Sequence, residues 1–328
     1  LREEHNINEI VYINFDDERL RQMTADDLDL ILQAYHSLFD LRPLLFFDEI
    51  QNIEGWEHFA RRLANQKYNI YITGSNAKML SREIATTLGG RFWNKDIYPY
   101  SFAEYLNARD IILSKNWIYG KQAAEVSKAF NDYFLYGGFP ELTDVIAKRV
   151  WLNDIYSKIF FSDLIVRNKV RNEEALGLLV RRLAENVKQP VSYTRLANLI
   201  SSIGIKISKA TVIEFIRYLK ESCLIFPIEN YAAKFAERNS NMKHYFIDNG
   251  LLSIFLLDGN TSLLENIVAI HLYKRYGAQL YFYNQNIEVD FVIPEAKTAI
   301  QVSYSLMDET TCRREVEGLI KLNRVFPM

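Results

Sequence analysis

The sequence predicts an α/β fold for its first third, organised on a parallel sheet. Three observations carry this. Short apolar runs rich in β-branched and aromatic residues recur at "IVYINF" (10–15), "LLFF" (44–47) and "YNIYIT" (68–73). Amphipathic helical stretches separate them, and strands buried on both faces read as continuous apolar runs. Each run also ends in polar residues: Asp16-Asp17, Asp48-Glu49 and Gly74-Ser75-Asn76.

The elements follow in order. "TADDLDLILQAYHSLF" (24–39) opens on Thr24, an N-cap residue type, with acids in the first turn, and reads as a helix. Pro43 precedes the second strand. In "GWEHFARRLANQ" (55–66), Trp56, Phe59, Ala60 and Leu63 share one helical face. A helix over 77–88 is stopped by "GGR" (89–91), and "DIYPYS" (96–101) is expected to form a fourth strand. Residues from about 120 to 185 read as helices, broken by the Gly-Gly-Phe-Pro of "YFLYGGFPEL" (133–142).

A helix after Ser192, a turn at Gly204, a second helix over 209–221 capped by Ser208, and the strand "LIFPIENY" follow. That order predicts a winged helix-turn-helix, with Lys209, Arg217 and Lys220 on the exposed face of its second helix. Such modules dock on DNA or on proteins. The remainder reads as mixed structure: a strand and short helix over 243–257, a helix over 262–277, strands at 280–283, 289–293 and 299–305, and a helix over 308–322. The expected division is 1–118, 119–235 and 236–328.

Composition narrows the function classes. The chain has 328 residues, 49% hydrophobic and 24% charged, as in ordinary globular proteins. Its net charge of -2 creates no global basic field, so nucleic-acid contact must come from local patches. Cys223 and Cys312 match no ligand spacing and read as reduced thiols of a cytoplasmic protein. The five histidines form no zinc signature, and no apolar run is long enough to span a membrane.

The acids Asp48 and Glu49 are the sharpest chemical signal. Ligands of open parallel sheets lie at the carboxyl ends of the strands. Two acids there match the Walker B arrangement of nucleotide-hydrolysing ATPases: the first holds Mg²⁺ and the second polarises the attacking water. Thr73, Ser75 and Asn76 end the next strand, where an AAA-type ATPase keeps its sensor of the γ-phosphate. Arg91 in "LGGRF" fits an arginine finger, which neutralises charge developing on the phosphoryl group. A solvated strand end and a surface arginine are the plainer readings of the same residues.

Together "VYINFDDERL", "LLFFDEIQNIEGWEHFARRL", "YITGSNAKMLSREIATTLGGRF" and "IYPYSFAEYL" resemble a prokaryotic AAA-type ATPase family. Its members carry an uncharacterised C-terminal domain related to PD-(D/E)XK nucleases. "YFLYGGFPEL", "SYTRLANLI", "YFIDNGLL", "LENIVAIHLYKRYG" and "EVDFVI" follow in that family's order, so the resemblance covers nearly the whole chain. It implies a P-loop NTPase-like parallel sheet, then a helical and winged-helix region, then an α/β nuclease-like domain. It implies ATP and Mg²⁺ as cofactors. Asp48 and Glu49 become the Walker B acids, Asn76 or Ser75 the sensor, and Arg91 a finger that reaches the nucleotide of a neighbour in a homo-oligomer.

One departure from the family is serious. The family's phosphate loop, a G-x-x-x-x-G-K-[ST] type motif, lies upstream of the "YINF" strand, and here no glycine precedes Gly55. Without that loop's amides and lysine little holds the β- and γ-phosphates. The expectation is that the first strand and phosphate loop belong before Leu1.

In the C-terminal domain, the nuclease pattern maps onto Glu265, Asp290 and Gln301-Val302-Ser303. Glu265 and Asp290 are the candidate metal ligands. Ser303 replaces the lysine, with Lys297 and Lys274 as candidate substitutes. The expectation is a Mg²⁺-dependent ATPase with a DNA- or protein-binding C-terminal region. The alternatives are a nucleotide-regulated DNA-binding module without turnover and a metal-dependent DNA nuclease.

Overall fold

The computed structural model describes residues 5–74, 87, 89, 92–234, 238 and 240–326. The chain separates into two compact units, Leu1–Asp96 and Ile97–Met328.

The first unit holds β1 (Ile10–Asn14), α1 (Asp29–Leu38), β2 (Leu44–Asp48), α2 (Trp56–Asn65) and β3 (Ile70–Ile72). The strands are parallel in the order β1-β2-β3, with Tyr12, Phe46 and Tyr71 level across the sheet. Successive strand residues face opposite sides. Leu45 and Phe47 therefore join the buried cluster formed with Ile31 of α1 and Trp56, Phe59, Ala60 and Leu63 of α2. The row Tyr12–Phe46–Tyr71 lies on the other face, where Tyr71 stacks on Phe46 at 4.6 Å and Tyr12 remains 63% exposed. The helix expected over 77–88 lies almost wholly outside the described residues.

Residues 96–101 form no strand, contrary to expectation. Pro99 withholds an amide from any ladder there. The segment is held instead by the Tyr100 amide donating to the Gly138 carbonyl and the Tyr133 hydroxyl donating to the Tyr100 carbonyl. Ser101 then caps α3 (Phe102–Ala108) in a capping box with Glu104.

In the second unit, α4 (Gln122–Tyr136), α5 (Lys148–Lys158) and α6 (Glu173–Glu185) follow, and α5 continues as a π-helix over Ile159–Val166. Next come β4 (Val191–Ser192), α7 (Tyr193–Ser201), α8 (Lys209–Glu221), β5 (Ile225–Asn230) and β6 (Asn241–Phe246). The chain ends with α9 (Asn249–Ser253), α10 (Asn260–Tyr276), β7 (Tyr281–Asn284), β8 (Glu288–Ile293), β9 (Thr298–Ile300) and α11 (Glu309–Val325). One six-stranded sheet runs β4-β6-β5-β7-β8-β9, so strands from both sides of residue 235 share it. Asn230 fastens the β5–β7 junction, exchanging hydrogen bonds with the Asn284 amide and carbonyl. A single core cluster likewise joins Leu176, Leu196, Leu219, Phe246, Ile270 and Phe291.

The "YGGFP", "FIDNG" and "LEN" phrases meet in a buried polar knot. Asp248 accepts from the amides of Gly138 (2.7 Å), Gly250 (2.7 Å) and Leu251 (3.3 Å). Asn249 donates to the Phe134 and Leu263 carbonyls, and Asn266 bridges Asn249 to the backbone of Phe246. Gly250 lies so close to α4 that an added Cβ would sit 2.1 Å from the Tyr136 carbonyl oxygen.

Candidate functional site

Strand β2 delivers Asp48 to the C-terminal end of the three-stranded sheet. Its side chain falls on the same face as Tyr12, and both neighbouring strands reach it. The Tyr12 hydroxyl donates to Oδ2 at 2.7 Å, and the Thr73 hydroxyl, one residue beyond β3, donates to Oδ1. The bond to Asp48 and its negative charge push the Tyr12 phenol above its ordinary value.

Glu49 follows in a left-handed conformation, φ 52°. Non-glycine residues rarely adopt this, and such outliers collect at functional sites. The turn takes the chain out of β2 into a 3-10 turn over Ile50–Asn52. The Gln51 side-chain amide donates to Glu49 Oε2. Gln51 Oε1 is buried without a hydrogen-bond partner among the described residues. The sequence reading passed over Tyr12 and Gln51. Tyr12 carried the signal of an aromatic hydroxyl between the aliphatic residues Val11 and Ile13.

A carboxylate flanked by two hydroxyls is a hard oxygen donor set of the kind Mg²⁺ takes, and both Asp48 oxygens are already oriented by hydrogen bonds. The residues therefore fit an ion held through its own water molecules. Of the other expected members, Ser75, Asn76 and Arg91 lie outside the described residues.

The second candidate constellation lies in the Ile97–Met328 unit. Glu265 of α10 and Asp290 of β8 come together around a residue the sequence reading missed, Lys243 of β6. Its ammonium is fully buried, 3.2 Å from Glu265 Oε1 and 3.2 Å from Asp290 Oδ1, with the half-exposed Glu288 at 3.6 Å. Lys243 also passes over the Phe282 ring of β7, 5.7 Å from its centroid. Tyr245 donates to Glu265 Oε1 at 2.7 Å, and the Val302 amide to Asp290 Oδ2 at 2.9 Å. Gln301 Oε1 accepts from the Asp290 amide at 3.2 Å, so that side chain supports the strand. Burial pushes the Glu265 carboxyl up to about 7 against the pull of Lys243. Burial also works against the Lys243 ammonium, but the carboxylates outweigh it and keep Nζ charged.

Glu265, Glu288, Asp290 and Gln301 line an 890 Å³ cavity beside the 301–305 segment and α11, with Lys243 buried behind them. Lys274, a candidate substitute lysine, instead donates to the Pro99 carbonyl. Lys297 occupies a left-handed position (φ 47°) between β8 and β9 and is not among the residues lining the cavity. Among the described residues, no group of three or more His, Cys, Asp or Glu is arranged to hold a metal ion. The Lys243 ammonium already stands between the Glu265 and Asp290 carboxylates. This constellation does not fit a divalent ion.

Comparison with known proteins matches residues 1–106 to an AAA domain model and residues 127–262 to a domain of unknown function, DUF8612. An uncharacterised protein of Methanocaldococcus jannaschii is 34% identical, the match covering 97% of this chain and 73% of that protein. An uncharacterised protein of Haemophilus influenzae is 30% identical over 95% of this chain and 78% of its own length. Among solved structures, a Walker-type ATPase of Pyrococcus abyssi aligns at 12% identity with TM-score 0.43, covering 75% of this chain and 83% of that one. The Aeropyrum pernix ORC1 protein, solved in complex with DNA, aligns at 14% identity with TM-score 0.30, covering 80% and 79%. No described helix is long and apolar enough to cross a membrane.

Proposed function

This chain belongs to the AAA-domain family of its archaeal and bacterial relatives, and from that premise we propose that its first unit binds ATP with Mg²⁺ and hydrolyses it. The observation that carries the reading is the Asp48–Glu49 pair at the end of β2: Asp48 is oriented from both flanking strands and Glu49 is set in a left-handed turn.

Asp48, with the Tyr12 and Thr73 hydroxyls beside it, would hold the hydrated ion. When bound, Mg²⁺ neutralises charge on the β- and γ-phosphates. Glu49 takes the role of orienting and polarising the attacking water as general base, with Gln51 fixing its carboxylate. Ser75 or Asn76 would sense the γ-phosphate and Arg91 would serve as the finger, both roles resting on the family's pattern. The test is ATP turnover by the natural protein against its Glu49→Gln variant. Turnover that is lost in the variant supports the reading, and equal turnover rejects it.

A second reading concerns the target. Helices α7 and α8 precede the hairpin β5–β6, and the short β4 pairs with β6. That connectivity supports a winged helix-turn-helix. Arg195, Lys206, Lys209, Arg217 and Lys220 are exposed on or between the two helices, although Glu214 lies 3.8 Å from Arg217. This local cationic set favours the phosphate backbone of DNA as the ligand. Duplex binding should weaken as salt rises, and Lys209→Ala with Lys220→Ala should flatten that dependence. If nucleotide acts only as a switch, Glu49→Gln will retain DNA binding while changing how nucleotide affects it.

A further inference from the structure

The Lys243 ammonium stands between Glu265 and Asp290, and we infer that it is the permanent cation of this cavity, in the place a nuclease-like fold would give to a divalent metal. The inference is independent of the ATPase reading, since every residue it uses lies in the other unit.

The geometry supports it in three ways. First, Nζ is equidistant, at 3.2 Å, from the two carboxylate oxygens that converge on it. A metal bridging those oxygens would have to occupy the same space. Second, the ammonium has nowhere to retreat. Its side chain is fully buried, rising from β6 and lying over the Phe282 ring. Displaced by a divalent ion, it would remain close to that ion as a buried charge with only the half-exposed Glu288 to offset it, which is unfavourable. Third, other donors fix both carboxylates around the ammonium. Tyr245 holds Glu265 Oε1 and the Val302 amide holds Asp290 Oδ2. Gln301 and Ser303 stand where the nuclease pattern requires an acid and a lysine, and Gln301 Oε1 is turned to the Asp290 amide.

What remains is a staple across the domain. One side chain from β6 ties helix α10 through Glu265 to strand β8 through Asp290, spanning the intervening β5 and β7. The cavity beside it keeps polar walls, including Ser303, Ser305, Thr310, Thr311 and Arg314.

The experiment is a titration of the nucleotide-free full chain with Mn²⁺, read by the electron paramagnetic resonance signal of the free ion. It compares wild type, Asp290→Asn, Glu265→Gln and Lys243→Met. The expected result is that wild type, Asp290→Asn and Glu265→Gln bind the same number of Mn²⁺ ions. Lys243→Met, if it retains native circular dichroism, gains one ion that a further Asp290→Asn change removes. A wild-type Mn²⁺ ion that is lost in Asp290→Asn or Glu265→Gln would overturn the inference. So would a natively folded Lys243→Met that gains none. Should Lys243→Met fail to fold, the comparison of wild type with the two acid variants still decides the matter.

Discussion

The Tyr12 hydroxyl of β1 donates to Asp48 Oδ2 of β2 at 2.7 Å, so the acid that ends the central strand is held from the strand beside it. The Asp48 charge raises the Tyr12 phenol in return. Replacing Asp48 by Asn removes that charge, and the Tyr12 titration should fall back toward the ordinary tyrosine value. Carbon-13 NMR of ring-labelled tyrosine, assigned with Tyr12→Phe, reads this directly. An unmoved Tyr12 titration in Asp48→Asn would show that the bond is not made in solution.

Glu49→Gln keeps the size of the side chain and removes its basicity. Loss of a positioned general base lowers turnover by roughly 10²–10⁴-fold. ATP affinity should change little, because the role given to Glu49 is on the attacking water and not on the phosphates. Steady-state kinetics with a nucleotide-binding assay separates the two effects.

Gln51 acts through Glu49, to whose Oε2 its amide donates. Gln51→Leu should leave the acid in place but loosely oriented. Losses of a supporting hydrogen bond of this kind run to about 10–100-fold in metal-assisted sites. The expected pattern is a lower kcat with KM unchanged and a smaller loss than Glu49→Gln. A Gln51→Glu variant, which places a like charge beside Glu49, should be worse than Gln51→Leu.

His244 is fully buried in β6, with both ring nitrogens lacking a hydrogen-bond partner among the described residues. Burial, helped by the Lys220 charge, lowers its titration from 6.5 to about 4. A folded-state value below the unfolded one means the neutral ring supports the fold above about pH 6.5. That support is lost as pH falls toward 4, with a full effect of about 3 kcal/mol. His244→Phe removes the proton uptake. Urea midpoints for wild type and variant should diverge between pH 7 and pH 4.5, the variant losing less stability.

The Asp248 knot predicts that Gly250→Ala is severely destabilising. The Cβ would meet the Tyr136 backbone carbonyl, which cannot swing aside as a side chain would. Overpacking of this kind costs about 1–3 kcal/mol and more where backbone must move. Asp248→Ala should cost a similar amount by leaving three amide groups without their acceptor. Thermal denaturation of the two variants measures both.

Much of the first unit was legible because its signals are local. Apolar runs and helical periodicity mark β1, β2, β3, α1 and α2 without reference to anything distant. The failure at 96–101 is also local: apolar and aromatic residues suggested a strand, but Pro99 and the tie to Gly138 made an extended segment instead. Glu265 and Asp290 could be named from the nuclease pattern that the resemblance implies. Lys243 could not, because its partners come from a helix and a strand far along the chain. Lys274 and Lys297 are nearer to Ser303 along the chain, whereas the cation comes from β6, across the sheet. The one available signal was a lysine inside the strand "NMKHYF", where a buried charge requires a counter-charge.

The sequence by itself determined the alternation of strands and helices in the first unit, the acids at the end of β2, and the order of helices and strands in the second, since periodicity and polarity act between near neighbours. The tertiary structure alone decided that Tyr12 and Thr73 hold Asp48, and that β5 and β7 fuse two strand groups into one sheet. It alone put a buried lysine between Glu265 and Asp290. The physical reason is common to all three: charge compensation and strand pairing depend on distance in space, which the order of residues along the chain does not encode.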